Sequence, residues 1–215
     1  MNELQQQADY WNREAPQFHS IYSHDKAAPL NFLDRYFRQD MYERYLFTLE
    51  HAEPIQGRTF LDVGCGSGVY SVELARRGAA RVVGLDIADR MLAMCTQAAG
   101  EAGVGSRCSF VQSDLLAYVP DGRFDVTIGI GLFDYIADPL PVLRKMHEVT
   151  SDRVIVSFPR LWTWRAPIRK VRLALRGCPV FFFSATKVRT LMQEAGFARV
   201  EIHRVGKLHC VIGYV

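Results

Sequence analysis

Three aspartates stand where short apolar runs end, in the stretches FLDVGCGSG, VVGLDIA and FVQSDLL. Carboxylates accept hydrogen bonds from hydroxyl and amino groups, and they favour a positively charged neighbour over a phosphate. Asp86, in the second stretch, could accept from both ribose hydroxyls of a nucleoside. Asp114, in the third, could accept from an adenine amino group, or it could cap a helix. Asp62 precedes a glycine-rich turn and suits a ligand with an ammonium or sulfonium group.

The glycine-rich turn places Gly64, Gly66 and Gly68 directly behind the first apolar run. Glycine lacks a Cβ atom, so its backbone can approach a ligand closely and adopt positive φ angles. The dinucleotide fingerprint GxGxxG is not matched, because the third glycine comes one residue early and Val69 fills the expected position. The turn therefore favours a nucleoside ligand over a pyrophosphate, with a tight turn that packs strand on helix as the alternative.

Alternating strand and helix patterns position these residues. Strands are predicted at Thr59–Val63, Arg81–Leu85, Ser109–Gln112, Asp125–Ile130 and Arg153–Phe158. Helices are predicted at Val69–Arg77, Ala88–Ala99, Pro139–Val149 and Ala185–Ala195. Two closing strands, Arg199–Val205 and His209–Val215, are joined by a link too short for a parallel crossover. The fold class is therefore α/β, a Rossmann-like, doubly wound, mostly parallel seven-stranded sheet with a C-terminal antiparallel hairpin.

The N-terminal segment, residues 1–55, is rich in aromatic residues and helical in pattern. We expect it to form a helical lid or extension in front of a main domain that spans residues 56–215. Phe18 and Tyr22 would offer apolar surface that excludes water from a bound ligand. The alternative is that these rings anchor the helix.

A basic insertion at residues 160–183 separates the fifth strand from the last helix. Residues 151–215 hold 12 basic and 3 acidic residues, a net charge of +9. Arg160, Arg165 and Arg169 are the arginines we assign to substrate binding, through guanidinium contacts to a phosphorylated or carboxylated acceptor. A solvated surface helix, contact with anionic lipid and binding of a lipid-linked glycan are the alternatives. Nucleic acid is disfavoured, because one short stripe without a recognition domain is weak evidence.

The three aspartate stretches, together with FDVTIGIGLFDYI, resemble motifs of the class I S-adenosylmethionine-dependent methyltransferases. The resemblance covers roughly residues 56–215, including the terminal hairpin. Within that family the chain is similar to small-molecule O- and N-methyltransferases, and loosely to magnesium-protoporphyrin O-methyltransferase-like proteins. It lacks the Asn/Asp-Pro-Pro-Tyr/Phe motif of many amino-methyltransferases.

The resemblance implies a cofactor, S-adenosyl-L-methionine, with S-adenosyl-L-homocysteine as its product. It also implies a set of cofactor-binding residues at the ends of the first four strands. The methionine part would contact Asp62, Gly64 and Gly66. The ribose would contact Asp86, and the adenine would contact Ile87, Asp114 and Leu115. The sulfonium would lie near Gly129 and Gly131.

An oxygen nucleophile benefits from a general base, and the candidates are Asp134, Tyr135 and His24. Asp134 and Tyr135 come just after the fourth strand, where the acceptor is expected. Ordinary packing is the alternative for Tyr135, and a solvated loop position is the alternative for His24.

Composition excludes several classes of protein. The six histidines show no metal-ligand spacing, so no metal site is expected. The five cysteines are odd in number and form no CxxC pair, which favours free thiols in the cytoplasm. No apolar run approaches the length of a membrane span, and the polar N-terminus does not have the pattern of a secretory signal.

The sequence therefore predicts an enzyme that transfers a methyl group from S-adenosylmethionine to a small-molecule acceptor. The acceptor is expected to be anionic or glycan-like and to be methylated on oxygen. A porphyrin carboxylate O-methyltransferase and a non-catalytic S-adenosylmethionine-binding subunit are the alternatives. A nucleotide-dependent oxidoreductase is disfavoured by the early third glycine.

Overall fold

A computed structural model describes the backbone of residues 3–22, 32–161 and 180–215. Side chains are described for residues 5–15, 41–161 and 180–215. Of the predicted site residues, His24, Phe18, Tyr22, Arg165 and Arg169 lie outside the described side chains.

Helices and strands alternate through most of the described chain. The helices are α1 (Glu3–Tyr22), α2 (Phe32–Ala52), α3 (Val69–Arg76), α4 (Asp89–Glu101), α5 (Pro139–Glu148) and α6 (Ala185–Glu194). A short 3₁₀ turn covers Gly105–Arg107. The strands are β1 (Thr59–Val63), β2 (Arg81–Asp86), β3 (Cys108–Gln112), β4 (Phe124–Gly129), β5 (Thr150–Pro159), β6 (Arg199–Val205) and β7 (Leu208–Tyr214).

Within the described residues the strands form one seven-stranded sheet in the order β3-β2-β1-β4-β5-β7-β6. Neighbours from β3 to β5 pair in parallel, whereas β7 pairs antiparallel with both β5 and β6. The predicted fold class and the terminal hairpin are thus confirmed. The strand order reverses between β1 and β4, and the carboxyl ends beside such a switch point are where open α/β sheets bind ligands.

The core consists of two apolar layers, one on each face of the sheet. Alternate residues of β1 show the division, because Phe60 packs with α2 and α3 while Leu61 packs with α5 and α6. Successive strand residues point to opposite faces, so both layers need apolar residues, and the central strands therefore read as almost continuous apolar runs. Both side chains are fully buried.

Local signals in the sequence set several element boundaries. The Asp138 carboxylate accepts a hydrogen bond from the Leu140 amide at 3.2 Å, and Pro139 occupies the first position of α5. Ser184 accepts from the Lys187 amide at 3.2 Å and caps α6. Gly78 follows α3 with φ +93°, as expected of a glycine that ends a helix.

The fifth strand is longer than predicted. It runs from Thr150 to Pro159 because it has a strand on each side, with Thr150 paired to Phe124 of β4 and Pro159 paired to Leu208 of β7. In the part of the chain that the structure describes, no helix has the length and apolar character that crossing a membrane requires.

Candidate functional site

The glycine-rich turn after β1 has a backbone that other residues rarely adopt. Gly64, Gly66 and Gly68 have φ angles of +69°, +54° and +79°. These angles lie in the left-handed region, where a Cβ atom costs about 1–2 kcal/mol. The Gly64 and Cys65 amides both donate to the Leu85 carbonyl, at 2.8 and 2.9 Å, which ties the turn to the end of β2.

Gly68 also serves helix packing. A Cβ atom at this residue would lie 3.0 Å from the Cys95 Sγ and 3.2 Å from the Cys95 Cα, so glycine allows α3 to begin close to α4. The alternative interpretation of the turn, that its glycines are needed for packing, therefore applies to Gly68. Cys95 Sγ in turn donates to the Gly66 carbonyl at 3.0 Å.

Replacing Gly68 by alanine is expected to lower the free energy of unfolding by about 2–3 kcal/mol, from left-handed strain plus overpacking. Gly103→Ala is the matched control, because Gly103 has φ +70° but nothing within 4 Å of an added Cβ. The control should lose only about 1–2 kcal/mol. Urea unfolding of both variants measures the difference, and equal losses would show that contact with Cys95 is unimportant.

Asp86 ends β2 with its carboxylate turned towards the glycine turn. One oxygen accepts from the Gly66 amide and the other accepts from the Ala88 amide, each at 2.9 Å. Burial raises the pKa of Asp86 above its usual value, while the hydrogen bonds from the Ala88, Gly66 and Ile87 amides oppose the rise. The carboxylate is therefore fixed in orientation at the place where the ribose was predicted. Ile87 is half-buried beside it, and its carbonyl accepts from Gln112 Nε2 at 3.2 Å.

Asp62 lies beneath the turn, on the α3 side of the sheet. Its side chain is 1% exposed, and its carboxylate accepts from Ser71 Oγ at 2.6 Å. Burial, with a smaller contribution from the nearby Asp86 charge, raises the pKa of Asp62 to about 7, although the hydrogen bond from Ser71 opposes the rise. Because the described hydrogen bond goes to α3, contact with the methionine part of a cofactor stays a prediction.

Asp114 lies beside Asp86 at the same sheet edge, since the Ser113 amide donates to the Asp86 carbonyl at 3.1 Å. Its carboxylate accepts from the Leu116 amide at 2.6 Å, so it caps the turn after β3. Leu115 is 4% exposed and belongs to the core, whereas Leu116 is 53% exposed. The structure thus brings the three aspartates to one edge, while the Leu115 side chain is directed into the core.

The two glycines predicted near the sulfonium differ in role. A Cβ atom at Gly129 would lie 2.6 Å from Met146 Cε, so the space left by Gly129 is filled by α5 and is not open to a ligand. Gly131 has φ +80°, and its amide donates to Ser157 Oγ at 2.8 Å. Of the two, Gly131 is the one that the structure places at the end of β4 with an unusual backbone.

Asp134 and Tyr135 lie just beyond this point. Asp134 is 6% exposed, and its carbonyl accepts from the Phe181 amide at 2.9 Å. Tyr135 is half-buried, with its ring edge-to-face against Trp11 at 5.2 Å and its carbonyl accepting from Gln7 Nε2 at 3.1 Å. These two of the three predicted catalytic residues therefore contact neighbouring segments just beyond the end of β4.

The first helix touches the sheet edge at two places. At one end of its contact, Gln7 and Trp11 reach Tyr135 after β4. At the other, Asn12 accepts from the Arg90 amide at 3.2 Å, and Ala15 is buried with Met91. Since β1 lies between β2 and β4 in the sheet, α1 contacts the segments that follow the two strands on either side of β1. The lid itself stays a prediction.

Arg160 belongs to a corner of the sheet away from the glycine turn. Its Nη1 donates to the Gly206 carbonyl at 3.1 Å, and its amide donates to the Lys207 carbonyl at 3.1 Å. The guanidinium is therefore fixed by the β6–β7 turn. Arg165 and Arg169, predicted to share its role, are outside the described residues.

Sequence reasoning missed Arg44, which α2 brings to the end of β4. A Cβ atom at Gly131 would lie 3.4 Å from Arg44 Nη1. Arg44 also lowers the pKa of Cys210, although burial dominates and raises that pKa to about 12. No motif surrounds Arg44, so only the packing of α2 could reveal it.

Among the side chains that are described, no group of three or more histidine, cysteine or acidic residues could hold a metal ion.

Comparison with known proteins agrees with this geometry. Residues 60–153 match a family described as "Methyltransferase domain". A ubiquinone biosynthesis O-methyltransferase of Pseudomonas paraeruginosa is 34% identical over 97 residues, which cover 45% of this chain and 41% of that protein. The enzyme of the same name from Cereibacter sphaeroides is 29% identical over 146 residues, 66% of this chain and 54% of that protein. The chain thus spans about half the length of the curated relatives it matches.

The solved structures extend the likeness to the whole fold. A magnesium protoporphyrin IX methyltransferase from Synechocystis PCC 6803, with bound S-adenosylhomocysteine, superposes with a TM-score of 0.80 at 21% identity. The superposition covers 99% of each chain. At this identity the likeness shows a shared fold.

Proposed function

Because residues 60–153 are a methyltransferase domain, in a chain with the fold of the class I S-adenosylmethionine-dependent methyltransferases, we propose that the protein methylates an oxygen of a small-molecule acceptor. The family match confirms the predicted resemblance, and it agrees with the predicted enzyme class and cofactor. The observation that carries the proposal is the bond from the Gly66 amide to Asp86, which joins the glycine turn and the ribose-type carboxylate in one site.

The residues at this edge fit S-adenosylmethionine. The left-handed Gly64 and Gly66 leave bare backbone for its methionine part, and Asp86 is held in place to accept from its ribose hydroxyls. Asp114 would accept from the adenine amino group, with Ile87 beside the ring. The cofactor supplies an activated methyl group on sulfur, so the chain mainly has to align the acceptor and exclude water. Alignment alone is worth about 7–11 kcal/mol in favourable cases.

Acceptor activation falls to residues after β4. Asp134 or Tyr135 would take the proton from an acceptor hydroxyl, and Gly131 would allow the acceptor to approach the sulfonium. Trp11 and Gln7, which hold α1 against Tyr135, would exclude water from the reacting oxygen. His24, Phe18 and Tyr22 keep their predicted roles as base and lid residues within this proposal.

The acceptor we favour is an anionic or glycan-like metabolite. Support comes from the net charge of +9 on residues 151–215, which hold 12 basic and 3 acidic residues. A porphyrin carboxylate is the second candidate, because the superposition on magnesium protoporphyrin IX methyltransferase covers 99% of both chains. Peripheral contact with anionic lipid or a lipid-linked glycan, through the insertion at 160–183, is compatible with both.

We also infer a cytoplasmic location. Cys65, Cys95, Cys108 and Cys210, the described cysteines, are all free thiols. Free thiols persist in reducing compartments.

Binding and turnover experiments test the proposal in two steps. S-Adenosylhomocysteine at about 100 times its Kd should raise the free energy of unfolding by about 2.7 kcal/mol, whereas NAD should have no effect. Metabolite extracts are then incubated with S-adenosylmethionine that carries a labelled methyl group, and the compound that gains the label is identified by mass. Stabilisation by NAD alone would contradict the cofactor. Cofactor binding without any labelled product, across extracts and porphyrin carboxylates, would favour the non-catalytic subunit.

A further inference from the structure

Basic side chains lie close together at the corner of the sheet where β5, β6 and β7 meet. Arg160 directly follows β5, and its guanidinium donates to the Gly206 carbonyl in the β6–β7 turn. Arg204 and His209 are cross-strand partners on β6 and β7. His209 also pairs with Phe158, which packs in the layer on the α5 and α6 face. Because paired residues share a face, the Arg204 and His209 side chains lie on that same face.

The charges in this corner repel one another. Burial is the larger cause of the lowered pKa of Arg160, and the Arg204 charge lowers that pKa further. Burial also lowers the pKa of His209, and both arginines lower it further, while a hydrogen bond to the Phe183 backbone opposes them. The acid on β6, Glu201, is three residues from Arg204 and therefore on the opposite face, where it lies 3.4 Å from Arg199 and 3.6 Å from His203. The Glu201 carboxylate therefore does not neutralise the three basic groups, because they lie on the other face of the sheet.

A short segment connects this corner to the acceptor side of the site. The Phe183 amide donates to the Pro159 carbonyl at 2.8 Å, just before Arg160. Two residues earlier, the Phe181 amide donates to the carbonyl of Asp134, a candidate base. A ligand that spans these few residues would reach both places.

We propose that Arg160, Arg204 and His209 form a binding site for the oxyanion of the acceptor, a carboxylate or phosphate group. The assignment to the acceptor rests on the proposed function. An arginine has five N–H donors, and one described bond to Gly206 leaves most of the Arg160 fork for a ligand. A bound oxyanion would neutralise the mutual repulsion, and guanidinium groups recognise carboxylate and phosphate with paired hydrogen bonds. The site accounts for an anionic acceptor with Arg160, at the start of the insertion, and two hairpin residues, and it needs no residue from 162 to 179.

Anion binding to the full chain tests the site without turnover. Succinate and inorganic phosphate are titrated separately at low ionic strength, with the His209 ring signals in NMR as the readout. The variant Arg204→Gln should weaken binding about fivefold or more, and Arg204→Gln with His209→Asn should weaken it at least tenfold. Arg204 is exposed, so its single substitution is expected to leave folding intact, and for it the His209 signals remain as a readout. Calorimetry serves for the double variant.

Arg199→Gln is the matched control, because it removes one positive charge from the same strand on the opposite face. It should bind both anions like the wild type, and none of the variants should change the affinity for S-adenosylhomocysteine. Equal weakening in Arg199→Gln, or no binding of either anion by the wild type, would overturn the site. Binding to phosphatidylglycerol vesicles but to neither free anion would overturn the acceptor assignment. If anions bind and S-adenosylhomocysteine does not, the site stands as an anion site and the proposed function fails.

Discussion

The free energy of unfolding of the Asp62→Asn variant is expected to depend less on pH than that of the wild type. Burial raises the pKa of Asp62 to about 7 in the folded chain, from 3.8 as the ordinary value. Between about pH 4 and 7, the folded chain thus keeps a proton that the unfolded chain has released, so the free energy of unfolding falls as the pH rises. The total loss is about 4 kcal/mol, from a difference of about three pH units. Asparagine, which is neutral throughout, removes this loss.

Urea unfolding at pH 5, 6, 7 and 8, without ligand, measures the effect. The difference between variant and wild type should shift by about 2.6 kcal/mol in favour of asparagine from pH 5 to pH 8, because roughly two of the three pH units of loss lie above pH 5. A second variant, Ser71→Ala, removes the hydrogen bond that lowers the pKa of Asp62, so its loss of stability should extend to higher pH. Parallel pH profiles for all three proteins would mean that Asp62 is ionised in the fold like an ordinary carboxyl group.

Removing the Asp86 carboxylate should weaken cofactor binding. Asp86→Ala is expected to cost about 1–3 kcal/mol in the binding of S-adenosylhomocysteine, roughly 5- to 150-fold in Kd, because the ribose hydroxyls lose a charged acceptor. Calorimetry gives the affinity. Asp89→Ala is the control, since Asp89 is an exposed acid three residues further on, in the first turn of α4.

Asp86 also holds the Gly66 and Ala88 amides, so its loss could act through the loop alone. An analogue of S-adenosylhomocysteine without the 2′- and 3′-hydroxyls separates the two effects. If Asp86 binds the ribose, this analogue should lose little affinity in Asp86→Ala. A loss as large as that of the natural ligand would assign Asp86 to loop structure and refute the ribose role.

Much of the fold could be predicted because its signals are local. Asp138 with Pro139, Ser184 and Gly78 act within a few residues of the helix ends they set, and the structure shows each of them at the end of a predicted helix. The short link between β6 and β7 similarly forced the antiparallel hairpin.

The candidate site was harder to predict from the sequence, because the direction of a side chain depends on its register in the strand or turn. Asp62 shares the face of Phe60, two residues earlier, and so points towards α3 and Ser71. Leu115 and Leu116 are adjacent and chemically alike, yet the turn after β3 buries the first and exposes the second. Gly129 and Gly131 likewise look interchangeable in the sequence, although only the first is required by the packing of Met146.

Long-range neighbours left no sequence signal. Arg44 reaches Gly131 from a helix that begins far earlier in the chain, and Arg204 meets Arg160 only because β7 pairs on both sides. Which charges share a corner depends on strand order, and strand order is a property of the assembled sheet.

The double attachment of α1 has a kinetic consequence. Its contacts with Tyr135 and with Arg90 follow the strands on either side of β1, so breaking one set alone leaves the helix attached through the other. In the proposed lid role, release of the product cofactor would need both sets to open together, and the free energies of the two openings would add. A small weakening on either side would therefore multiply the rate of exchange, without altering any group that touches the reacting atoms.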